Sequence, residues 1–388
     1  MLSHAARPKG VKRKLLCRTL LLINIGFIQL LLISYLASFA SPVNLWWLEF
    51  FTLSYGIFLS INIFFVLFWL LLRERYFLYS LIAIFIGINK VSGIFQFHFS
   101  GQKNVSSAHS QEHPQLKVMT YNVHVFDLYN WYHDHEYRPK ILALLGKESP
   151  DIVCLQEFYS STRKDYRYEN ADTLKKILAA SYAHIEYTLT LRGTDHWGIA
   201  TYSKYPIINQ QAVHFNGSQG NIFIYSDIVA GIDTFRVFNV HLESDRFQPA
   251  DYRFIKDLQI GKSEDSKVNG YWKRIKSIVV RLKDGTVKRG MQAPLMRDYI
   301  AKSPYPVIVC GDFNDTPASY TYHVLSENLK DAFRESGSGF GQTYSGAFPS
   351  FRIDYILHDK RIESYSYNTG KENYSDHYPV SCIIQRKD

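Results

Sequence analysis

Three long stretches almost free of charge occupy the first hundred of this chain's 388 residues, and they limit its fold more than any other feature. The first, about Thr19 to Ala40, follows Arg7, Lys9, Lys12, Arg13, Lys14 and Arg18 and is interrupted mainly by Asn24 and Gln29. About 20 apolar residues cross a bilayer as a helix, and this stretch is too long for the apolar region of a cleaved signal peptide. A second runs from about Leu48 to Leu72, and a third, about Phe77 to Phe97, carries Asn89 and Lys90. The expectation is a multi-pass membrane region over residues 1–100 with two to three transmembrane helices, at about 19–40, 48–72 and 77–97, resting in a lipid bilayer.

Charge supports this division. Of the formal net charge of +9, residues 1–114 contribute +7 and the remaining residues only +2. Most of the basic excess is therefore a positive-inside signal rather than a footprint for a polyanion. The basic N-terminus and the Arg73-Glu74-Arg75 loop are expected in the cytoplasm, and Ser41 to Trp47 outside. A third crossing puts the rest of the chain outside, in the periplasm; a third segment lying in the interface leaves it cytoplasmic. The outside is favoured, because Phe77 to Ile88 otherwise lacks a partner, although Lys90 in a span needs a carboxylate, water or headgroup beside it.

Residues 101–115 are polar and read as a linker. From 116 to 388, apolar strand-like runs alternate with helical patterns, which argues for an α/β domain. Val307 to Cys310 form a buried-type strand that ends in Gly311, Asp312 and Asn314; LKVMTYNVHV (Leu116 to Val125) carries Asn122, and PDIVCLQE (Pro150 to Glu157) ends in Glu157. The second strand of a hairpin around Gly231 and Ile232 ends at His241, Asp354 lies in Arg352 to Leu357, and Asp376 and His377 precede the last strand, Val380 to Ile384. Between them, about Asp251 to Lys302 is helical and basic in pattern.

Four carboxylates, two amides and two imidazoles delivered by separate strand ends could make a hard-cation site with acid/base groups beside it. Oxygen ligands suit Mg²⁺ or Mn²⁺, and carboxylates gathered without a cation raise one another's pKa. The four cysteines show no metal-type spacing. His124, His196, Trp197 and Glu243 border the motifs and read as pocket wall or, more often for such neighbours, as structural residues. The cluster His133-Asp134-His135-Glu136 reads as a solvated loop.

The ordered set YNVH, LQEF, NVHLES, GDFND, RIDYIL and SDHYPV resembles the endonuclease/exonuclease/phosphatase superfamily of DNase I-like enzymes, over about residues 116–385. The resemblance implies a four-layer α/β/β/α sandwich with its site at one end of two facing sheets. It also implies that Glu157 is the principal metal ligand, with Asn122 and Asp376 near the same Mg²⁺ or Mn²⁺. Asp312 would activate water, Asn314 would hold it or the phosphate, His241 and His377 would bond the phosphoryl oxygens, and Asp354 would fix the His377 tautomer. The reading is a membrane-anchored metal-dependent phosphoesterase acting on a lipid headgroup, nucleotide or nucleic acid, with no obligate protein partner evident. Its alternatives are an extracytoplasmic nuclease and a catalytically silent membrane binding module.

Overall fold

The computed structural model of the chain describes residues 9–97, 113–130, 136–163, 168–218, 220–248, 250–254, 268–346 and 352–387. Of the expected linker, 101–112 lies outside the described residues, as do His133, Asp134 and His135 and residues 255–267 of the basic stretch. The chain divides into two compact units, Met1–Val91 with Ala318–Tyr320, and Ser92–Pro317 with Thr321–Asp388.

The first unit is helical: α1 (Lys9–Ala37), the segment Pro42–Leu53, α2 (Tyr55–Leu71) and α3 (Phe77–Ile86). Among the described residues one helix, Arg13–Ala37, is long and apolar enough to cross a membrane; Pro42–Leu53 and Tyr55–Leu71 reach that length only as one span bent by 44°. Polar side chains face inward. Trp69 Nε1 donates to Asn24 Oδ1 (2.9 Å), Asn24 Nδ2 to Ser80 Oγ (2.7 Å), Ser80 Oγ to Asn62 Oδ1 (3.0 Å) and Asn62 Nδ2 to the Phe27 carbonyl (3.1 Å). All four side chains are buried, while Leu22, Leu36, Phe64, Leu71, Phe85 and Ile86 are exposed. This is the inverse of a helical bundle in water.

Contacts along α1 give the helix directions. Ser80 meets Asn24, the Tyr35 hydroxyl donates to the Ala83 carbonyl (3.2 Å), and Lys90 Nζ lies 5.7 Å from the Phe39 ring. So α3 and the turn after it run parallel to α1, whereas α2 runs antiparallel, its Tyr55 beside Tyr35 and its Trp69 beside Asn24. The stretch expected as one helix over 77–97 departs from that expectation. Helix α3 has 10 residues, about 15 Å of rise, and a single helical turn follows at Ile88–Val91. Gly87 interrupts it where the chain passes Tyr35 too closely for any Cβ, and Phe95–Phe97 is a strand of the second unit.

The second unit is an α/β fold built on two mixed six-stranded sheets. In the first, β2 (Leu116–Asn122), β3 (Ile152–Ser161), β4 (Tyr182–Leu191), β5 (Asp195–Ser203), β13 (Ile362–Thr369) and β14 (Val380–Arg386) lie in the order β13-β14-β2-β3-β5-β4. In the second, β6 (Ile207–His214), β7 (Ile222–Ala230), β8 (Asp233–His241), β9 (Val307–Asp312), β10 (Lys330–Asp331) and β12 (Asp354–His358) lie in the order β10-β12-β9-β8-β7-β6. A separate ribbon pairs β1 (Phe95–Phe97) with β11 (Ser338–Phe340). The β2/β3 and β8/β9 pairs are parallel and their neighbours antiparallel.

Alternation along β2 separates two cores. Leu116 and Val118 face the second sheet with Cys154, Phe235, Val237, Ile308, Cys310 and Ile356, whereas Met119 and Tyr121 face α4 (Tyr137–Glu148) and α5 (Asn170–Ile177) through Ile141, Leu145 and Leu174. The far side of the second sheet is covered by α6 (Val268–Ala301), where Tyr299 packs on Phe223 with ring centroids 5.3 Å apart. Helices, sheet, sheet and helix make four layers. The inner layer holds a polar knot: Gln156 Nε2 donates to Asn239 Oδ1 (2.6 Å) and Thr120 Oγ1 (3.1 Å), and Asn239 Nδ2 to the Ala200 carbonyl (2.8 Å).

Leaving a buried polar group unsatisfied costs about 1–3 kcal/mol. Asn239→Ala is therefore expected to destabilise the second unit by roughly that amount in chemical denaturation, and Gln156→Leu combined with Asn239→Leu to recover part of it. A melt of Asn239→Ala matching the parent would remove the knot from the stabilising interactions.

Candidate active site

Register brings the polar strand ends together. In the parallel pairs Asn122 stands opposite Gln156 and His241 opposite Asp312, and in the antiparallel pair Asp354 stands opposite Asp312. All lie at one end of the two sheets. Strand β3 continues past this level through an irregularity between Leu155 and Phe158, and Glu157 within it has φ 48°. Such a bulge re-aims one side chain out of the alternation, and Glu157 becomes free to meet Asn122. Gly311, φ 146°, lies so close to β8 that a Cβ would sit 2.0 Å from the Val240 carbonyl oxygen. Only glycine fits there.

Asn122 Nδ2 lies between two carboxylates, 3.2 Å from Glu157 Oε1 and 3.1 Å from Asp312 Oδ2, and its Oδ1 accepts from the His124 N–H (3.1 Å). Past Asn122 the expected strand over 116–125 stops, because His124, Val125, Phe126 and Asp127 all have positive φ. A left-handed turn costs roughly 1–2 kcal/mol per residue, and here it carries His124 Nδ1 to 3.5 Å from Asp376 Oδ1. Asp376 also receives the Ser375 hydroxyl (3.3 Å), and its described contacts are at this rim.

Asp312 accepts from the Asn314 backbone N–H (2.8 Å). His241 Nε2 and His377 Nε2 each lie 3.7 Å from Asp312 Oδ2. His241 Nε2 is also 3.7 Å from Glu157 Oε1 and, buried, makes no hydrogen bond among the described residues. His377 Nδ1 lies 2.9 Å from Asp354 Oδ2, and the Asp354 N–H is held by Thr343 Oγ1 (3.0 Å). Burial pushes the Asp312 carboxyl up to about 6, with Asp354 adding to the rise and His377 and His241 opposing it. Burial works against a charged His377, yet Asp354 and Asp312 outweigh it and raise its pKa well above the usual imidazole range.

All eight expected residues thus occur at one sheet end, Asp376 at its edge and Asn314 held by the Leu242 carbonyl through its Nδ2 (3.0 Å). His196 is paired with Thr190 and stacked on Tyr187. Two aromatic residues were not anticipated: the Tyr344 ring meets His377 edge-on at 5.3 Å, and its hydroxyl donates to that of Tyr252 (3.3 Å). The Gly-, Ser- and Phe-rich composition around Tyr344 carries no signal for this placement.

Among the described residues, Asp312, Asp354 and His377 offer ligand atoms within 4.8 Å of one another. That trio is an internally bonded acid–base group, since His377 Nδ1 already faces Asp354 and all three are buried. Glu157 fits a cation better. Its carboxylate is 32% exposed, Asn122 lies beside it, and four carboxylates here face few compensating charges. A half-turn of the Asn122 amide, which gives up the bond its Oδ1 accepts from the His124 N–H, presents oxygen in place of nitrogen and adds to the hard-oxygen donors Mg²⁺ and Mn²⁺ take.

Residues 119–270 and 295–377 match the Endonuclease/Exonuclease/phosphatase family, and residues 14–94 match a domain of unknown function (DUF8431). No curated protein matches the chain. Among solved structures, an endonuclease/exonuclease/phosphatase from Beutenbergia cavernae is 18% identical with a TM-score of 0.49, covering 70% of this chain and 72% of that one. One from Bacteroides vulgatus is 17% identical with a TM-score of 0.47, covering 71% of this chain and all, 100%, of that one. The human Nocturnin catalytic domain with bound sulfate is 17% identical with a TM-score of 0.46, covering 70% and 94%.

In metal-free protein, an NMR titration is expected to find His377 protonated above pH 6.5, and Asp354→Asn to lower its pKa. With the folded-state pKa raised, its contribution to stability is complete below about 6.5 and is lost as pH rises through the folded-state value. A parent ring titrating at the ordinary value would remove the ion pair.

Proposed function

The chain belongs to the endonuclease/exonuclease/phosphatase family, whose members hydrolyse phosphoester bonds, and we propose that it is a membrane-anchored phosphoesterase that depends on a divalent cation. Asp312 carries this reading. It is a buried carboxylate pushed up to about 6 by burial, with two imidazoles 3.7 Å away. A base of that strength is poised to take a proton from an attacking water near neutral pH. Asn314, tied to the Leu242 carbonyl, orients that water. His377, kept charged by Asp354, and His241, whose buried Nε2 makes no hydrogen bond among the described residues, donate to the non-bridging phosphoryl oxygens.

Glu157 and Asn122 would hold Mg²⁺ or Mn²⁺, with Asp376 at the rim. Such an ion neutralises charge at phosphorus and on the leaving oxygen. The substrate is a phosphoester of a lipid headgroup, nucleotide or nucleic acid, and fold does not choose among them.

The first unit supports the anchor, because its buried Asn24, Asn62 and Ser80 and exposed leucines and phenylalanines suit lipid rather than water. Its directions support a third crossing and, with it, an extracytoplasmic second unit. With the basic N-terminus inside, the Phe39 end of α1 is outside, and Lys90 lies beside Phe39. Helix α3 and its following turn would make a crossing shorter than the bilayer, which local thinning accommodates.

Purified full-length protein in nanodiscs is expected to hydrolyse bis(4-nitrophenyl) phosphate with Mg²⁺ or Mn²⁺ and to lose that activity in chelator. Glu157→Gln and Asp312→Asn should each lower kcat by about 100-fold or more with circular dichroism unchanged. Parent turnover by Asp312→Asn sinks the assigned role. Cleavage confined to DNA or RNA and falling steeply with salt selects the nuclease reading; cleavage of sphingomyelin or phosphoinositide vesicles selects a lipid substrate. A C-terminal alkaline phosphatase fusion should be active, and a fluorescent C-terminal GFP fusion in its place would put the second unit in the cytoplasm.

A further inference from the structure

Helix α6 lies between His241 and Asp312 in sequence, and its residues 271–294 fall outside the match to the family. It nevertheless reaches both loops that leave those residues. Arg289, 1% exposed, donates from Nη1 to the Glu243 carbonyl (3.0 Å) and Asp245 Oδ1 (2.8 Å), from Nε to Asp315 Oδ2 (3.3 Å) and from Nη2 to Thr286 Oγ1 (3.0 Å). Gln292 Oε1 accepts the Glu243 N–H (2.9 Å), and Lys288 Nζ donates to Glu243 Oε1 (3.1 Å). The helix is close enough that a Cβ on Gly285 would sit 2.3 Å from Asp245 Oδ1.

These loops are also joined directly. The Leu242 N–H donates to the Asp312 carbonyl (3.0 Å), and Asn314 Nδ2 donates to the Leu242 carbonyl (3.0 Å). The acceptor that holds Asn314 is thus one peptide from the carbonyl that Arg289 holds. We infer that Arg289 is a positioning residue of this site: its planar fork joins the loop after His241 to the loop after Asp312 and sets the placement of both His241 and Asn314. This rests on the phosphoesterase reading for its kinetic consequence, but not for its structural one.

The fork is essential to the role, because a guanidinium serves acceptors in several fixed directions and an ammonium is a point charge. Removing the cation altogether would leave buried Asp315 and partly buried Asp245 without their common partner, a loss of fold rather than of placement. Arg289→Lys is therefore the informative substitution, with Asp315→Asn, which keeps Arg289 and its other acceptors, as the second.

Both variants would be prepared as full chains in nanodiscs and compared with the parent on bis(4-nitrophenyl) phosphate with Mn²⁺, and by hydrogen exchange of the metal-free proteins. Arg289→Lys is expected to lower kcat tenfold or more with KM within twofold and a near-parental melt, and Asp315→Asn to lower kcat by a smaller factor. Exchange should quicken at the Leu242 and Asn314 amides and stay unchanged in the distant β13/β14 pair. Parental kcat in Arg289→Lys, or parental exchange at both amides, overturns the inference. A parent that hydrolyses nothing removes the phosphoesterase reading, and the exchange result still decides the placement by Arg289.

Discussion

The hydrogen bond from Gln156 to Asn239 crosses the core between the two sheets, and the geometry of the site depends on it. Gln156 immediately precedes Glu157, and Asn239 lies two residues before His241, so the bond ties the strands that deliver a carboxylate and an imidazole from opposite sheets. Both amides are buried, which in an apolar layer makes an unmet hydrogen bond expensive and a sheet slip correspondingly unfavourable. A one-residue slip would also turn every side chain to the wrong face. The knot and the alternation together hold the sheet ends level.

Above that level the difficulty is electrostatic. Glu157, Asp312, Asp354 and Asp376 gather around the imidazoles of this sheet end, and the consequences appear as a raised Asp312 and a strongly raised His377. The arrangement divides the work between its carboxylates. Asp354, buried against His377, is committed to that ring, whereas Glu157, aimed outward by a bulge and partly exposed, stays accessible to a cation. The left-handed turn at His124 is a further local cost accepted at this end of the sheets.

The helical unit distributes its polarity the other way. Its polar groups satisfy one another inside and its leucines and phenylalanines point out, an arrangement stable when the surroundings are as apolar as the side chains. Asn24 and Asn62, which interrupt otherwise apolar stretches, act as the glue of the bundle.

Much of the site was legible in the chain because its residues follow apolar runs. A buried strand announces itself by Val, Ile and Cys, as at Val307 to Cys310, and the polar residue at its end has to face whatever the sheet end faces. Asn122, Glu157, His241 and Asp312 were readable in that way. The edge strands β4 and β6, exposed along much of their length, lack that signature and were not anticipated. Neither was the early end of β2, since nothing in Val123 to Phe126 announces positive φ at β-branched and aromatic residues. Arg289 and Tyr344 lie in stretches whose local patterns are ordinary, and their partners stand far away in sequence. Local sequence determined which strands would be buried and what chemistry their ends would carry, because burial is written in side-chain polarity. The tertiary structure alone decided which of those ends meet, which carboxylate faces which imidazole and which distant cation holds the loops, because those depend on register, bulges and packing between segments that no local pattern encodes.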